Sequence, residues 1–324
     1  MALTYAELES VTRNYFKADK GKATDIYFKT SFLLEYLMNQ KKGIFDRPDG
    51  GDYIRLPLEY DGQETGFYEK GESLTSDDRE NVNVAKFAWK HAFSNATIYR
   101  IDTLKNAGKE ADIKLSVQRL GSAQKSITTT LAGSIYDLPG GSSKRLTGLR
   151  SLMNETTATK YGDLAEADLV SDDGDYPWEG KMSADATTMD LAHIRAGKRG
   201  SKVRDGVGGK ADIVMTTETL RDELEGILQV QQRFTTATTK VVAGFDALDI
   251  NGLMIFADDY CPASHTLFLN SNHVGFAIHK NGYFVREKWS KIPDSAGDRT
   301  MKILWDGNMI CNNRKAHQGY SNVS

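Results

Sequence analysis

A chain of 324 residues can hold one large or two ordinary domains, and its 40% hydrophobic and 26% charged residues are those of a globular protein. Its formal charge of −3, from 41 basic and 44 acidic residues, excludes a dedicated nucleic-acid binder while leaving room for local basic patches. Two cysteines, Cys261 and Cys311, exclude a disulfide framework and predict reduced, buried thiols. No apolar run approaches the ~20 residues of a membrane-spanning helix, so no membrane partner is expected. The segment MALTYAELES lacks the basic-then-apolar pattern of a signal peptide.

In chain order, residues 1–24 are polar and of mixed charge. Arg13, Lys17, Lys20 and Lys22 stand among scattered apolar residues, and the segment reads as a loosely held arm. Residues 25–42 read as a short amphipathic helix, with Phe28, Phe32, Leu33, Tyr36 and Leu37 on one stripe. Thr24 or Asp25 would cap it and Gly43 would end it.

Residues 46–95 read as a long polar hairpin with almost nothing to pack against in its own fold. Ile54, Leu56, Leu58 and Tyr60 alternate with Tyr53, Arg55, Pro57 and Glu59, the period of a strand. Pro57 cannot donate to a ladder and argues for an edge. On the return arm, Val82 and Val84 precede Phe87 and Trp89, a slip of one residue that would suit a bulge. Between the arms, residues 61–80 carry seven acidic and two basic residues. Only Phe67, Tyr68 and Leu74 are large and apolar there, too few to hold the segment by burial. Arms of about 15 residues would reach roughly 50 Å, a length suited to another chain's surface.

A single helix is then predicted over about 98–138. Leu104, Ala107, Ala111, Leu115, Ala123, Ile127, Leu131 and Ile135 recur at helical spacings, Asp102 is the N-cap candidate, and Pro139-Gly140-Gly141 is the stop. Lys105, Lys109, Lys114, Arg119 and Lys125 give it a basic face. An acidic tongue beside a basic helix suggests pairing between copies; two solvated faces would look the same in sequence. Residues 140–275 read as a compact α/β region, with helices near 183–196 and 216–232 and strands at Ala211–Met215 and Leu253–Phe256. Residues 266–318 return to β character and end in a hairpin: Tyr283–Trp289 out, Met301–Trp305 and Met309–Cys311 back.

Chemical signatures are weak. Gly206, Gly208, Gly209 and Lys210 evoke a phosphate loop, but Arg204 stands where a glycine is needed, Ala211 where a hydroxyl is needed, and a strand follows. The run from Arg195 to Lys210 reads as a basic loop. Asp172, Asp173 and Asp175 lack the glycine and glutamate of a calcium loop. Cys261 and His265, four apart beside Pro262, form a nucleophile pair only if a third group orients them. No catalytic, cofactor or metal residue is therefore assigned, and no cofactor is expected.

The order of parts, with GGDYIRLPLEY (50–60), KFAWKHAFSNATI (86–98), ADIVMTTETLRDEL (211–224), NGLMIFADDYCP (251–262), LFLN (267–270) and GNMICNNRKAHQG (307–319), resembles the major capsid proteins of tailed phages, the Hong Kong 97-like family. The resemblance spans about residues 25 to 320 and implies an α+β fold. Its parts would be an N-terminal arm and short helix (1–45), an extended loop (46–95), a peripheral domain with a long spine helix (96–139 and 276–324) and an axial domain (140–275). It implies a shell protein and no enzyme, forming hexamers and pentamers of an icosahedral virion assembled in the host cytoplasm. The partners implied are other copies of itself, a portal protein, a decoration protein, double-stranded DNA on the inner face and, because only about 24 residues precede the first helix, a separate scaffolding protein. On this reading Tyr53, Phe67, Tyr68, Glu69, Lys70 and Glu72 of the loop meet Lys109, Lys114 and Arg119 on a neighbour's spine. Arg13, Lys17, Lys20 and Lys22 are candidates to face DNA. The family's Lys–Asn cross-link does not map onto this sequence. An encapsulin-type compartment is the alternative within the same architecture, and a soluble α/β enzyme using Cys261 and His265 is the alternative outside it.

Overall fold

The computed structural model describes residues 31–39, 47–74, 79–105, 109–138, 143–155, 160–171, 174–184, 188–202, 209–231, 238–242, 245–250 and 252–323. They form two units, one of His91–Leu131 with Asn281–Trp305, the other of Ser31–Lys90, Ala132–Lys280 and Asp306–Ser324.

The larger unit is built on a seven-stranded sheet of β4 (Met182–Ala184), β5 (Ile213–Thr216), β6 (Thr238–Val242), β7 (Phe245–Ile250), β8 (Leu253–Ala257), β9 (Thr266–Leu269) and β14 (Gln318–Ser321). Its order is β4-β14-β9-β5-β8-β7-β6. The central strands IVMT and TLFL are buried along their whole length, as continuous apolar runs covered on both faces should be. Val214 pairs with both Ile255 and Phe268, so these three side chains share a face. That face is covered by α5 (Leu191–Gly200), through Ile194, and by α6 (Glu218–Gln231), through Leu220, Leu224 and Leu228. On a neighbouring strand Phe256 stacks on Phe32 of α1 (Phe32–Asn39), ring centroids 3.6 Å apart. Burying each such side chain stabilises the unit by about 1.5–3 kcal/mol.

Ser31 starts α1: its hydroxyl accepts the Leu34 N–H at 3.4 Å and donates to the buried Asp258 carboxylate at 2.8 Å. Of the predicted stripe, Phe32, Leu33 and Leu37 are buried and Tyr36 is half-buried. Phe28, Thr24, Asp25 and Gly43 lie outside the described residues. The helix expected near 183–196 is displaced to Leu191–Gly200, because Asp190 accepts the His193 N–H as its cap. The preceding residues extend as β4 beside β14. The supposed basic loop therefore begins on a helix, with Arg195, Lys198 and Arg199 on α5.

Arg314 is fully buried in this unit. Its guanidinium donates to the carbonyls of Leu152 (2.8 Å), Trp178 (2.8 Å) and Ser151 (3.4 Å), and lies 5.1 Å from the centroid of Tyr161. Five fixed donors can tie two other chain segments to the arginine's own in this way where a lysine's ammonium could not. Leu152 and Ser151 belong to α4 (Leu149–Leu152), a single buried turn.

β10 (Val274–Ile278) pairs with the end of β13 (Arg299–Cys311), Ile278 opposite Gly307 and Val274 opposite Cys311. β13 is one strand of 13 residues where the sequence suggested two pieces. The C-terminal stretch also differs from expectation: β14 joins the seven-stranded sheet, antiparallel to β9, so residues 306–324 fall within the larger unit.

In the smaller unit the predicted helical stretch is described in two pieces, the residues 106–108 between them lying outside the described residues. Residues before 100 form β3 (Lys90–Ile98), paired with β13, and then come α2 (Arg100–Lys105) and α3 (Lys109–Ile135). Asp102 sits inside α2 and does not cap it. The cap is Asp298, whose carboxylate accepts the Arg100 N–H at 2.8 Å from the far end of the sequence. Leu115, Ala123, Ile127 and Leu131 are buried as the period requires, whereas Leu104 is 67% exposed. The outgoing arm of the terminal hairpin is reduced to two short ladders, β11 (Val285–Arg286) and β12 (Ser290–Lys291), against β13. Arg286 donates to the Gln124 side chain on α3 at 3.0 Å.

Candidate functional site

The hairpin consists of β1 (Tyr53–Glu59) and β2 (Val82–Ala88), antiparallel in unbroken register from Tyr53–Ala88 to Glu59–Val82. No bulge interrupts it. The apparent slip in apolar phase arises because Val82 faces out and Val84 is only half-buried, while Ala85 and Phe87 are the buried pair. Nor do the arms lack a seat. Ile54, Leu58, Ala85 and Phe87 are buried, the Phe87 ring meets Tyr161 edge-on at 5.1 Å, and the Lys86 N–H donates to the Gly162 carbonyl at 2.7 Å. Gly162 has φ +63°, and a Cβ there would lie 2.9 Å from both Ala85 and Phe87. Only glycine lets the backbone approach the hairpin so closely.

The neck is closed by Tyr60, whose N–H donates to the Asn81 carbonyl at 2.9 Å and whose hydroxyl donates to the Glu80 carbonyl at 2.5 Å. Every residue from 62 to 74 is exposed, including Phe67 (106%), Tyr68 (68%) and Leu74 (66%). Three large apolar side chains in one short segment are left uncovered. Glu72 has a local role too: its carboxylate accepts the Glu69 N–H at 2.9 Å, and its own N–H donates to the Glu69 carbonyl at 3.1 Å. This small turn around Lys70 and Gly71 (φ +93°) gives the tip a defined shape.

Of the other predicted contact residues, Tyr53 is half exposed on the outer face of β1 and Arg119 is partly exposed on α3. Lys109 and Lys114 lie on α3, but their side chains are outside the described residues, as are Arg13, Lys17, Lys20 and Lys22 altogether. Phe67, Tyr68, Glu69, Lys70 and Glu72 share one segment by sequence alone.

The supposed nucleophile pair is differently arranged. The Cys261 thiol donates to the His265 backbone carbonyl at 3.8 Å, while the His265 ring contacts the Ala263 carbonyl at 2.7 Å and Glu155 at 3.4 Å. Burial, and then the nearby Asp258 charge, push the Cys261 thiol up, away from the reactive thiolate. Cys311 is also buried and free, its pKa raised to about 12 by burial. Its sulfur lies 3.4 Å from His317 Nε2, and His317 Nδ1 accepts the Asn270 N–H at 3.2 Å. This leaves the ring proton on Nε2. Burial, then the nearby His273, lower the His317 pKa to about 3. Among the described residues no cluster of three metal-ligating side chains occurs.

Two features escaped sequence reading. Arg314 carried no motif, since an arginine among GNMICNNRKAHQG looks like surface. Asp298 lies too far along the chain from α2 for any capping pattern to find it.

No family model matches the sequence and no curated protein resembles it. Solved structures do. The cyanophage A-1(L) capsid subunit superimposes with a TM-score of 0.68 at 10% identity, over 95% of this chain and 99% of that one. The holo-SrpI encapsulin complex of Synechococcus elongatus gives 0.58 at 10% identity, over 100% and 97%. The capsid of Myoviridae phage XM1 gives 0.54 at 11% identity, over 96% and 98%. Identities this low speak for the architecture rather than for ancestry of particular residues. The chain has the α+β, Hong Kong 97-like fold of these shell proteins along essentially its whole length.

Proposed function

We propose that this chain is the major capsid protein of a tailed double-stranded DNA phage, forming hexamers and pentamers of an icosahedral shell. The observation that carries the reading is the exposed tongue, residues 62–74, held out on a seated hairpin with Phe67, Tyr68 and Leu74 uncovered. A neighbouring copy covers that tip in the shell. Covering each of the three would contribute about 1.5–3 kcal/mol before ordering costs, more than the ~0–1 kcal/mol of any surface ion pair. Apolar burial is thus the main driving force, and Glu69, Lys70 and Glu72, with Tyr53, set register against Lys109, Lys114 and Arg119 of the neighbour's spine.

Residues 96–139 and 276–324 serve as the peripheral domain and 140–275 as the axial domain, except that β14 belongs with the axial sheet. The role is structural rather than catalytic, a reading the buried Cys261 thiol supports. The shell is a virion part assembled in the host cytoplasm, with scaffolding, portal and decoration proteins as partners. Contacts with packaged DNA, through Arg13, Lys17, Lys20 and Lys22, are nonspecific and weaken with salt.

The test is negative-stain microscopy of the purified chain, with and without a scaffolding partner. Glu69→Lys with Glu72→Lys should impair shell formation and leave the monomer's thermal unfolding unchanged; normal shells would remove the electrostatic part of the reading. Phe67→Ser with Tyr68→Ser should impair it more, and normal shells there would remove the tongue's role. An encapsulin-type compartment is the second reading, favoured by the encapsulin match over the full chain. Particles isolated from the native source separate the two by content, a genome in one case and a cargo enzyme in the other.

A further inference from the structure

The two helices on one face of the large sheet carry opposite charge in matching patterns. From Leu191 to Lys202, along α5 and just past its end, there are four basic residues and no acidic one. α6 has four acidic residues and one basic. On α5, His193, Ile194 and Gly197 are buried, leaving Arg195 and Arg199 exposed on the outer side with Lys202 following. On α6, Leu220, Leu224 and Leu228 are buried in the core, leaving Glu218, Asp222 and Glu225 exposed. Both triplets have intervals of four and three, so each forms one stripe about 10 Å long.

Helix-end electrostatics explain only part of this. Arg199 in the last turn of α5 and Glu218 in the first turn of α6 complement their own helix dipoles. Arg195 and Glu225 lie outside those turns. Because Ile194 and Leu220, Leu224 and Leu228 enter one apolar cluster, both inner stripes point the same way and both outer stripes point away from it. The outer stripes therefore do not face each other within one copy.

We propose that the Arg195–Arg199–Lys202 stripe of one copy docks against the Glu218–Asp222–Glu225 stripe of a second copy. The two stripes are of opposite charge, so each finds its complement on the other copy. The proposal rests on the shell reading and assigns a contact between copies to these helices, separate from the tongue. Like-charge approach in any other pairing is disfavoured, which selects one partner and one order.

The test uses three full-length variants. Arg195→Glu with Arg199→Glu makes both stripes predominantly acidic; Glu218→Lys with Asp222→Lys makes both predominantly basic; the third carries all four substitutions. Assembly is followed by light scattering and mass photometry, with circular dichroism and thermal unfolding to report the fold. Each double variant alone should need about tenfold more protein to assemble, while an equimolar mixture of the two and the fourfold variant should recover. If the double variants assemble like the wild type, or if folded mixtures and the fourfold variant both fail, this contact is wrong. A wild-type chain that stays monomeric at every concentration and salt, with and without a scaffolding partner, would remove the shell reading with it. A wild-type chain that assembles regardless of these charges removes this contact alone.

Discussion

Replacing Arg314 by Met tests whether one buried arginine holds the larger unit together. Methionine is close in length and apolar, so it fills most of the space while removing every donor. Three carbonyls, of Leu152, Trp178 and Ser151, then lose charged donors in a site where Arg314 is fully buried. A hydrogen bond to a charged group contributes about 1.5–3 kcal/mol, and such contributions do not add where three acceptors share one guanidinium. The stacking on Tyr161 and Trp178, at 5.1 and 5.8 Å, adds about 1 kcal/mol. The desolvation already incurred by the guanidinium, which lowers its pKa, is regained. The net expectation is a loss of about 4 kcal/mol, a large share of the ~5–15 kcal/mol of a typical domain. Urea unfolding, followed by tryptophan fluorescence, should show the midpoint falling by about 1 M. The Glu166 ion pair is a useful contrast. At 3.6 Å and partly exposed on the acid's side, Glu166→Gln should cost under about 1 kcal/mol. A loss of under ~1 kcal/mol for Arg314→Met, or a larger loss for Glu166→Gln, would refute the view that the three carbonyl contacts are what make Arg314 stabilising.

Three further outcomes follow from particular contacts. His317 is held neutral, with a folded pKa near 3 against 6.5 in the unfolded chain. Below about pH 6.5 the unfolded chain binds the extra proton, so stability falls as pH falls, by up to about 1.4 kcal/mol per unit until the folded pKa is reached. Thermal unfolding from pH 7 to about pH 4 should show that slope in the wild type and a shallower one in His317→Gln; equal slopes would contradict it. Gly162→Val forces a side chain against Ala85 and Phe87 at a positive φ, and should cost about 2–4 kcal/mol and speed proteolysis of the hairpin arms. Unchanged hydrogen exchange at the Lys86 amide would count against the seat. Cys261 should resist thiol reagents in the native chain and react at an ordinary rate in urea; rapid native labelling would reopen the enzyme reading.

Strand and helix identity were legible wherever burial is one-sided or complete over a continuous run. The alternation of Ile54 and Leu58, the apolar blocks IVMT and LMIFA, and the Leu220, Leu224 and Leu228 spacing all state which side faces the core. The acid-rich, apolar-poor composition of residues 61–80 likewise announced a tongue, whose residues 62–74 are exposed, because too little apolar area is present to repay ordering it.

What the sequence left open are contacts between residues far apart in the chain. Local periodicity carries α3 but not the start of α2, which Asp298 caps from 198 positions away. Charge alone made Arg314 and the Arg195–Arg199 pair look like surface. Only packing separates the arginine that donates to three carbonyls from those left outward by Ile194. The position of β14 beside β9 was undecidable for the same reason: a four-residue QGYS strand has little pattern of its own, and its pairing is dictated by which sheet edge the folded chain brings within reach.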